Sequence, residues 1–183
     1  MSITYSSMLA LETKLIAFNL INTVSGKNFS SEELDNSKPT LIMFICNHCP
    51  YVIHYHSEIQ RISKDYKGQI NMVAISSNDA DNYPQDGPQQ MQDLWQDLGI
   101  SFPYLFDETQ MVAKAYKAEC TPEFYLFDNN RKLVYRGRLD ESSPNSTTLP
   151  SGKDLRDAIE NLFNDKEISS EQFPSMGCNI KWK

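Results

Sequence analysis

Thr40-Leu41-Ile42-Met43-Phe44-Ile45-Cys46-Asn47-His48-Cys49-Pro50-Tyr51-Val52 sets the architecture of this chain. Thr40 to Ile45 is a continuous apolar run without polar alternation, the pattern of a strand buried on both faces. The run stops at Cys46, and Pro50 then suits the first position of a helix, where its missing N–H would be unpaired anyway. Val52, Ile53, Ile59 and Ile62 recur at helical spacings before Gly68, which predicts a helix over about Pro50 to Tyr66. Two thiols therefore stand three residues apart where a buried strand meets a helix.

Upstream, Phe18 to Ile21 and Lys27 to Phe29 flank Ser25-Gly26 and read as a small hairpin, and Ser30 or Ser31 with Glu33 suits a short helical turn. Downstream, Ile70 to Ile75 is a second buried strand, followed by the polar loop Ser76 to Gly87. Met91, Leu94, Trp95 and Leu98 make a helical stripe closed by Gly99. Tyr104 to Phe106 is a short strand, and Met111 to Tyr116 is a helix entered from Asp107 and Thr109. Phe124 to Phe127 and Leu133 to Tyr135 form an antiparallel hairpin around Asp128-Asn129-Asn130. After the loop Ser142 to Ser151, a last helix runs from Leu155 to Phe163. Alternating strands and helices closed by a hairpin and a helix give an α/β domain with a mixed sheet. It is expected to span residues 1–183, with an N-terminal extension over 1–38 carrying the β-hairpin and a C-terminal tail over 165–183.

The chain has 183 residues, 40% of them hydrophobic, which suffices for one core without disulfide staples. Lys and Arg number 17 against 24 acidic residues, and the net charge of -7 argues against a nucleic-acid partner. Met1 to Leu20 interrupts its apolar residues with Glu12, Lys14 and Asn19, so neither a signal peptide nor a membrane span is expected, and the expected compartment is cytoplasmic. Thiols are kept reduced there, so of the four cysteines at 46, 49, 120 and 178 the close pair reads as catalytic or metal-binding rather than structural.

At the mouth of a helix, unpaired N–H groups and the positive end of the dipole favour a thiolate, the attacking species in disulfide exchange. Cys46 is therefore expected as nucleophile and Cys49 as the resolving thiol that expels what Cys46 captures, with His48 between them able to stabilise the anion. A metal site is the alternative, because His48, His54 and His56 all lie close to the cysteine pair. Zinc would want a second Cys or His pair that is missing, and His54 and His56 point to different helix faces.

Strand, Cys46-x-x-Cys49-Pro50, helix, with Thr121-Pro122 before a later strand, resembles the thioredoxin fold, in which a cis-proline faces the cysteine pair. Phe102 to Asp107 and Thr121 to Asp128 resemble its redoxin branch, which includes the alkyl hydroperoxide reductase and thiol-specific antioxidant proteins. Phe44 to Val52, Cys120-Thr121-Pro122 and the ending Gly177-Cys178-Asn179-Ile180-Lys181-Trp182-Lys183 are similar to a peroxiredoxin-like bacterial family. The resemblance implies a thioredoxin-like α/β fold with a central mixed sheet flanked by helices. It implies no cofactor, a disulfide-containing protein or small thiol as substrate, and a thiol electron donor.

Departures from both patterns are informative. A peroxiredoxin threonine three residues before the cysteine is Met43 here, and its later arginine is Pro122, which favours disulfide exchange over peroxide reduction. The thioredoxin buried acid is Thr40, which leaves the proton acceptor for Cys49 open between water and a group such as Glu123, itself expected as a solvated strand end. A cis bond at Pro122 would leave the Thr121 backbone to pair with an extended substrate beside Cys46. His48 just before the second cysteine is similar to the periplasmic disulfide oxidases, so the expected potential lies above the roughly -270 mV of thioredoxin. Cys120 and Cys178 each read either as a packing residue or as a third redox thiol.

Overall fold

In the computed structural model, which describes residues 3–183, the apolar run becomes strand β4 (Thr40–Phe44), buried at every position. Around it lie β1 (Ile3–Tyr5), β2 (Asn19–Asn22), β3 (Lys27–Ser30), β5 (Asn71–Ser76), β6 (Tyr104–Phe106), β7 (Cys120–Thr121), β8 (Glu123–Phe127), β9 (Leu133–Gly137) and β10 (Met176–Asn179). The helices are α1 (Pro50–Asp65), α2 (Pro88–Asp97), α3 (Met111–Tyr116) and α4 (Lys153–Phe163).

Seven strands form a mixed sheet in the order β3-β2-β6-β5-β4-β8-β9. β4 runs parallel to β5 and antiparallel to β8, so both its edges are paired. Leu41 and Met43 pack with Val52, Tyr55 and Ile59 of α1, Trp95 of α2 and Leu155 of α4. Ile42 and Phe44 point to the other face, among Val73, Ile75, Tyr125, Phe127 and Tyr116 of α3. Helices cover both faces, which is why β4 carries no polar alternation.

The N-terminal hairpin joins this sheet rather than standing beside it, because β2 pairs with β3 on one side and β6 on the other. Ser30 closes it with a capping box: its Oγ accepts from the Glu32 N–H at 3.2 Å and its own N–H donates to Glu33 Oε1 at 2.8 Å. On the other side of the molecule, Glu58 of α1 is buried and accepts from the Nε of Arg61 and of Arg156, each at 2.6 Å, tying α1 to α4.

The expected tail over 165–183 is corrected by β10, which with β1 and β7 makes a second antiparallel sheet in the order β1-β10-β7. Met176-Gly177-Cys178-Asn179 lacks the apolar alternation that marks a strand in sequence. A Cβ on Gly177 would lie 2.0 Å from the Thr121 carbonyl oxygen, so only glycine lets β10 close on β7. The N-terminal extension likewise carries β1, and its residues 1 and 2 lie outside the described residues. Among the described residues, no helix is long and apolar enough to cross a membrane.

Phe44, fully buried between the rings of Tyr116 and Tyr125, is a direct test of this packing. Phe44→Ala is expected to lower the unfolding free energy by about 3–5 kcal/mol, read as an earlier midpoint in urea.

Candidate active site

Past Phe44 the backbone stays in register for one residue, with the Ile45 N–H on the Ile75 carbonyl, and then turns through Cys46, Asn47 and His48. α1 begins at Pro50, so the N-cap residue is Cys49, not Cys46. All four cysteines are thiols, and Cys46 and Cys49 are 1% and 0% exposed. Thr121-Pro122 is a cis peptide, and Thr121 lies against both sulfurs. Its Oγ1 is 3.3 Å from Cys46 Sγ, and its carbonyl oxygen is 3.2 Å from Cys49 Sγ.

The expected electrostatics are redistributed accordingly. The hydrogen bond that Cys46 donates to Cys49 pushes the Cys46 thiol above its ordinary value, and burial and the charge of Asp86 add to it. The same bond holds Cys49 down to about 5 against burial, with further support from the Cys178 thiol and the N–H groups of Val52 and Cys178. Helix and strand N–H groups thus stabilise the second thiol of the pair, because the helix starts three residues later than a stabilised Cys46 would need.

Asp86 is the site residue that the sequence reading did not single out. It is fully buried in a 3-10 turn, Pro84–Asp86. Its Oδ1 accepts from the Asn47 N–H at 2.8 Å and the His48 N–H at 3.3 Å. Its Oδ2 accepts from Asn78 Nδ2 at 2.8 Å and lies 2.6 Å from His48 Nδ1. A carboxylate only accepts, so the proton of that last bond is on Nδ1. Tyr83 stacks on the His48 ring at 5.6 Å, and Tyr104 donates to Asn47 Oδ1 at 3.1 Å. The only sequence signal was an acid between Pro84 and Pro88 in a polar loop.

Among the described residues, Cys46, His48 and Asp86 form the one grouping of three potential metal donors. Both Asp86 oxygens are already taken by four hydrogen bonds, so a metal would have to dismantle the loop it joined. His54 and His56 do not join it. His54 Nε2 is 2.9 Å from Ser142 Oγ, and burial pushes the His56 imidazole below its ordinary value.

Glu123 is not a solvated strand end. It is fully buried, its Oε2 accepts from the Glu119 N–H at 3.2 Å, its Oε1 has no partner, and burial pushes its carboxyl up to about 7. Cys120 is buried one residue before Thr121, and burial drives its thiol well up. Cys178 is brought to the pair by β10, where it stands opposite Thr121. That strand occupies the place where a substrate segment was expected to pair with the Thr121 backbone.

A cysteine pair at the junction of a central strand and a helix, faced by a cis-proline, is the thioredoxin arrangement. The Redoxin family pattern matches residues 11–152. The chain belongs to the Redoxin family. It is 26% identical over 106 residues to the thiol-disulfide oxidoreductase YkuV of Bacillus subtilis (strain 168), a match covering 56% of this chain and 68% of that one. A crystal structure of an uncharacterized conserved protein from Geobacillus kaustophilus superposes with a TM-score of 0.97 at 45% identity, covering 100% of this chain and 97% of that chain. A hypothetical protein from Sinorhizobium meliloti 1021 does so at 0.95 and 38% identity, covering 98% of each. As in the wider redoxins, the sheet is mixed and flanked by helices.

Glu123 gives this Redoxin chain a signed pH dependence. Between its unfolded value of 4.5 and its folded value of about 7, the folded state holds a proton that the unfolded state has lost. Its contribution to stability therefore falls as pH rises through that window. Glu123→Gln is expected to melt higher than wild type at pH 8, with the gap shrinking toward pH 5; a gap independent of pH would count against the burial effect.

Proposed function

We propose that this redoxin is a thiol-disulfide oxidoreductase in which Cys46 attacks a substrate disulfide and Cys49 resolves the mixed disulfide. The observation that carries this reading is that Thr121 bonds both sulfurs, in a way that serves either position of one shared proton. The bond between the two thiols raises Cys46 and lowers Cys49, which favours the proton on Cys46. When it moves along that bond to Cys49, the new S–H has an acceptor waiting in the Thr121 carbonyl, and the Cys46 thiolate has a donor in the Thr121 hydroxyl. Nucleophile and proton carrier are thus exchanged by one short proton transfer, and the pair titrates as a unit. Neither Glu123 nor a buried acid at position 40 is needed for that first step.

Cys46 Sγ then bonds to one substrate sulfur while the electron pair of the broken disulfide leaves on the other. Cys49 loses its proton and attacks Cys46 Sγ, the Cys46–substrate bond breaks, and the substrate sulfur held there takes the electron pair and leaves as a thiol. The product is a Cys46–Cys49 disulfide, which a thiol donor reduces in turn. The name of the Bacillus subtilis relative supports this reading. The peroxide alternative has one supporting feature, the Thr121 hydroxyl at Cys46, and the test includes it.

Insulin reduction and hydrogen peroxide consumption are to be followed in parallel. Wild type is expected to reduce insulin with dithiothreitol as donor, Cys46→Ser to fall to the uncatalysed rate, and Cys49→Ser to accumulate a mixed disulfide on Cys46. Faster, Cys46-dependent peroxide consumption would make the protein a thiol peroxidase; a mixed disulfide on Cys49 would reverse the roles.

Two further measurements follow from the lowered Cys49 thiol. Its thiolate share is present above its folded value of about 5 and lost below it, so iodoacetamide labelling of the reduced pair should persist to about that pH. A thiolate stabilised in the reduced form also raises the potential, and equilibration with glutathione is expected to give a value above thioredoxin's roughly -270 mV.

A further inference from the structure

We infer that Cys178 is a third redox thiol, which takes over the disulfide by attacking Cys49 and so leaves Cys46 reduced. The inference rests on the Cys46–Cys49 chemistry proposed above and adds a second outlet to it.

Three observations converge on Cys178. Strand β10 holds it directly opposite Thr121, the residue whose carbonyl oxygen is 3.2 Å from Cys49 Sγ. Its thiol hydrogen-bonds that of Cys49, and Cys46, Cys49 and Cys178 share one buried cluster. Gly177 has no side chain where a Cβ would meet the Thr121 carbonyl at 2.0 Å, so the close approach is built into the sequence next to the cysteine. An extended segment lying antiparallel on the residue before a cis-proline, with a cysteine facing the pair, has the geometry of a bound substrate strand. Here the chain supplies that strand itself.

Cys178 also borders the surface. It lines a surface groove of about 230 Å³ with Ile3, Pro50, Tyr51, Pro144, Asn145 and Gly177. Neither Cys46 nor Cys49 lines that groove. A small thiol or an exposed cysteine of a partner protein entering it would meet Cys178 first.

The exchange balances within the molecule. Cys178 Sγ attacks Cys49 Sγ, the Cys49–Cys178 bond forms, the Cys46–Cys49 bond breaks, and its electron pair leaves on Cys46. The proton that Cys178 gives up is matched by the one that Cys46 takes up, and no external oxidant or reductant is consumed. While Cys49 is a thiolate, burial first, and then the bond to Cys49 and its charge, push the Cys178 thiol up to about 12. Oxidation of Cys49 removes the last two, while the positive charge of Lys181 continues to favour the anion. Burial, the largest cause, remains, so oxidation eases the ionisation of Cys178 only in part.

The test uses the full chain, oxidised with trans-4,5-dihydroxy-1,2-dithiane, alkylated with iodoacetamide, digested and mapped by mass spectrometry. Oxidised wild type is expected to contain both Cys46–Cys49 and Cys49–Cys178 bridges, and to acquire label on Cys46 that oxidised Cys178→Ser does not. Cys46→Ser, which cannot form the first bridge, is expected to form Cys49–Cys178 alone. If wild type forms Cys46–Cys49 while Cys46→Ser keeps Cys49 and Cys178 as thiols, the relay is wrong and the proposed function stands. If wild type forms no Cys46–Cys49 bridge at all, the proposed function fails first. Gly177→Ala serves as a second variant: with β10 pushed from Thr121, the share of Cys49–Cys178 should fall severalfold, and an unchanged share would overturn the role given to that approach.

Discussion

Thr121 lies against both sulfurs of the pair, and much of the site is arranged around that contact. Cys46 and Cys49 are both buried, so a pair of thiolates would place two like charges a few ångströms apart out of water. Asp86 makes the second ionisation harder still, since its charge already opposes an anion on Cys46. Ionisation of either sulfur alone is therefore favoured over ionisation of both. Thr121 answers both cases with one residue, a hydroxyl toward Cys46 and a carbonyl toward Cys49.

That arrangement explains features that otherwise look unrelated. Thr121, at the cis bond to Pro122, presents its side chain to Cys46 and its carbonyl to Cys49. The late start of α1 places Cys49, rather than Cys46, where N–H groups are unpaired. The loop between β4 and α1 has no secondary structure of its own to fix it, and Asp86 replaces that support by accepting the Asn47 and His48 N–H groups and the imidazole of His48. A buried acid is thus present, as the thioredoxin resemblance suggests. It braces the loop in front of Cys46 instead of lying behind the pair at position 40.

The central sheet was legible in sequence because its strands obey simple rules. Thr40 to Ile45 and Ile70 to Ile75 are apolar without interruption, a pattern that a strand covered on both faces requires. The helices announced themselves through Pro50, Gly99 and Gly152 at their ends and apolar stripes between. The Cys46–Cys49 pair and Thr121-Pro122 were readable for the same reason, since spacing alone carries their chemistry. β10 was not, because Gly177 and Asn179 occupy it for close approach and hydrogen bonding rather than for burial. Asp86 was not, because its partners lie 38 and 39 residues away and a lone acid in a loop has no period. Glu123 misled for a related reason. A charged residue at a strand end is ordinarily solvated, but here Glu123 pairs with Phe44 of the central strand and is fully buried.

β10 changes what the active face can be. In an open thioredoxin-like site the backbone before the cis-proline is an unpaired edge, available to any extended partner. Here that edge is filled from within the chain, so recognition by strand addition at Thr121 is unavailable unless β10 leaves. Leaving is costly, because Cys178 and Ile180 are buried in the two cores and Asp79 and Gln110 bond the Lys181 carbonyl just beyond the strand. A filled edge also keeps the pair dry, which strengthens each hydrogen bond that positions its sulfurs. The closed strand and the burial of the pair are therefore two aspects of one arrangement, because Cys178 both stands opposite Thr121 and lies in the same buried cluster as Cys46 and Cys49.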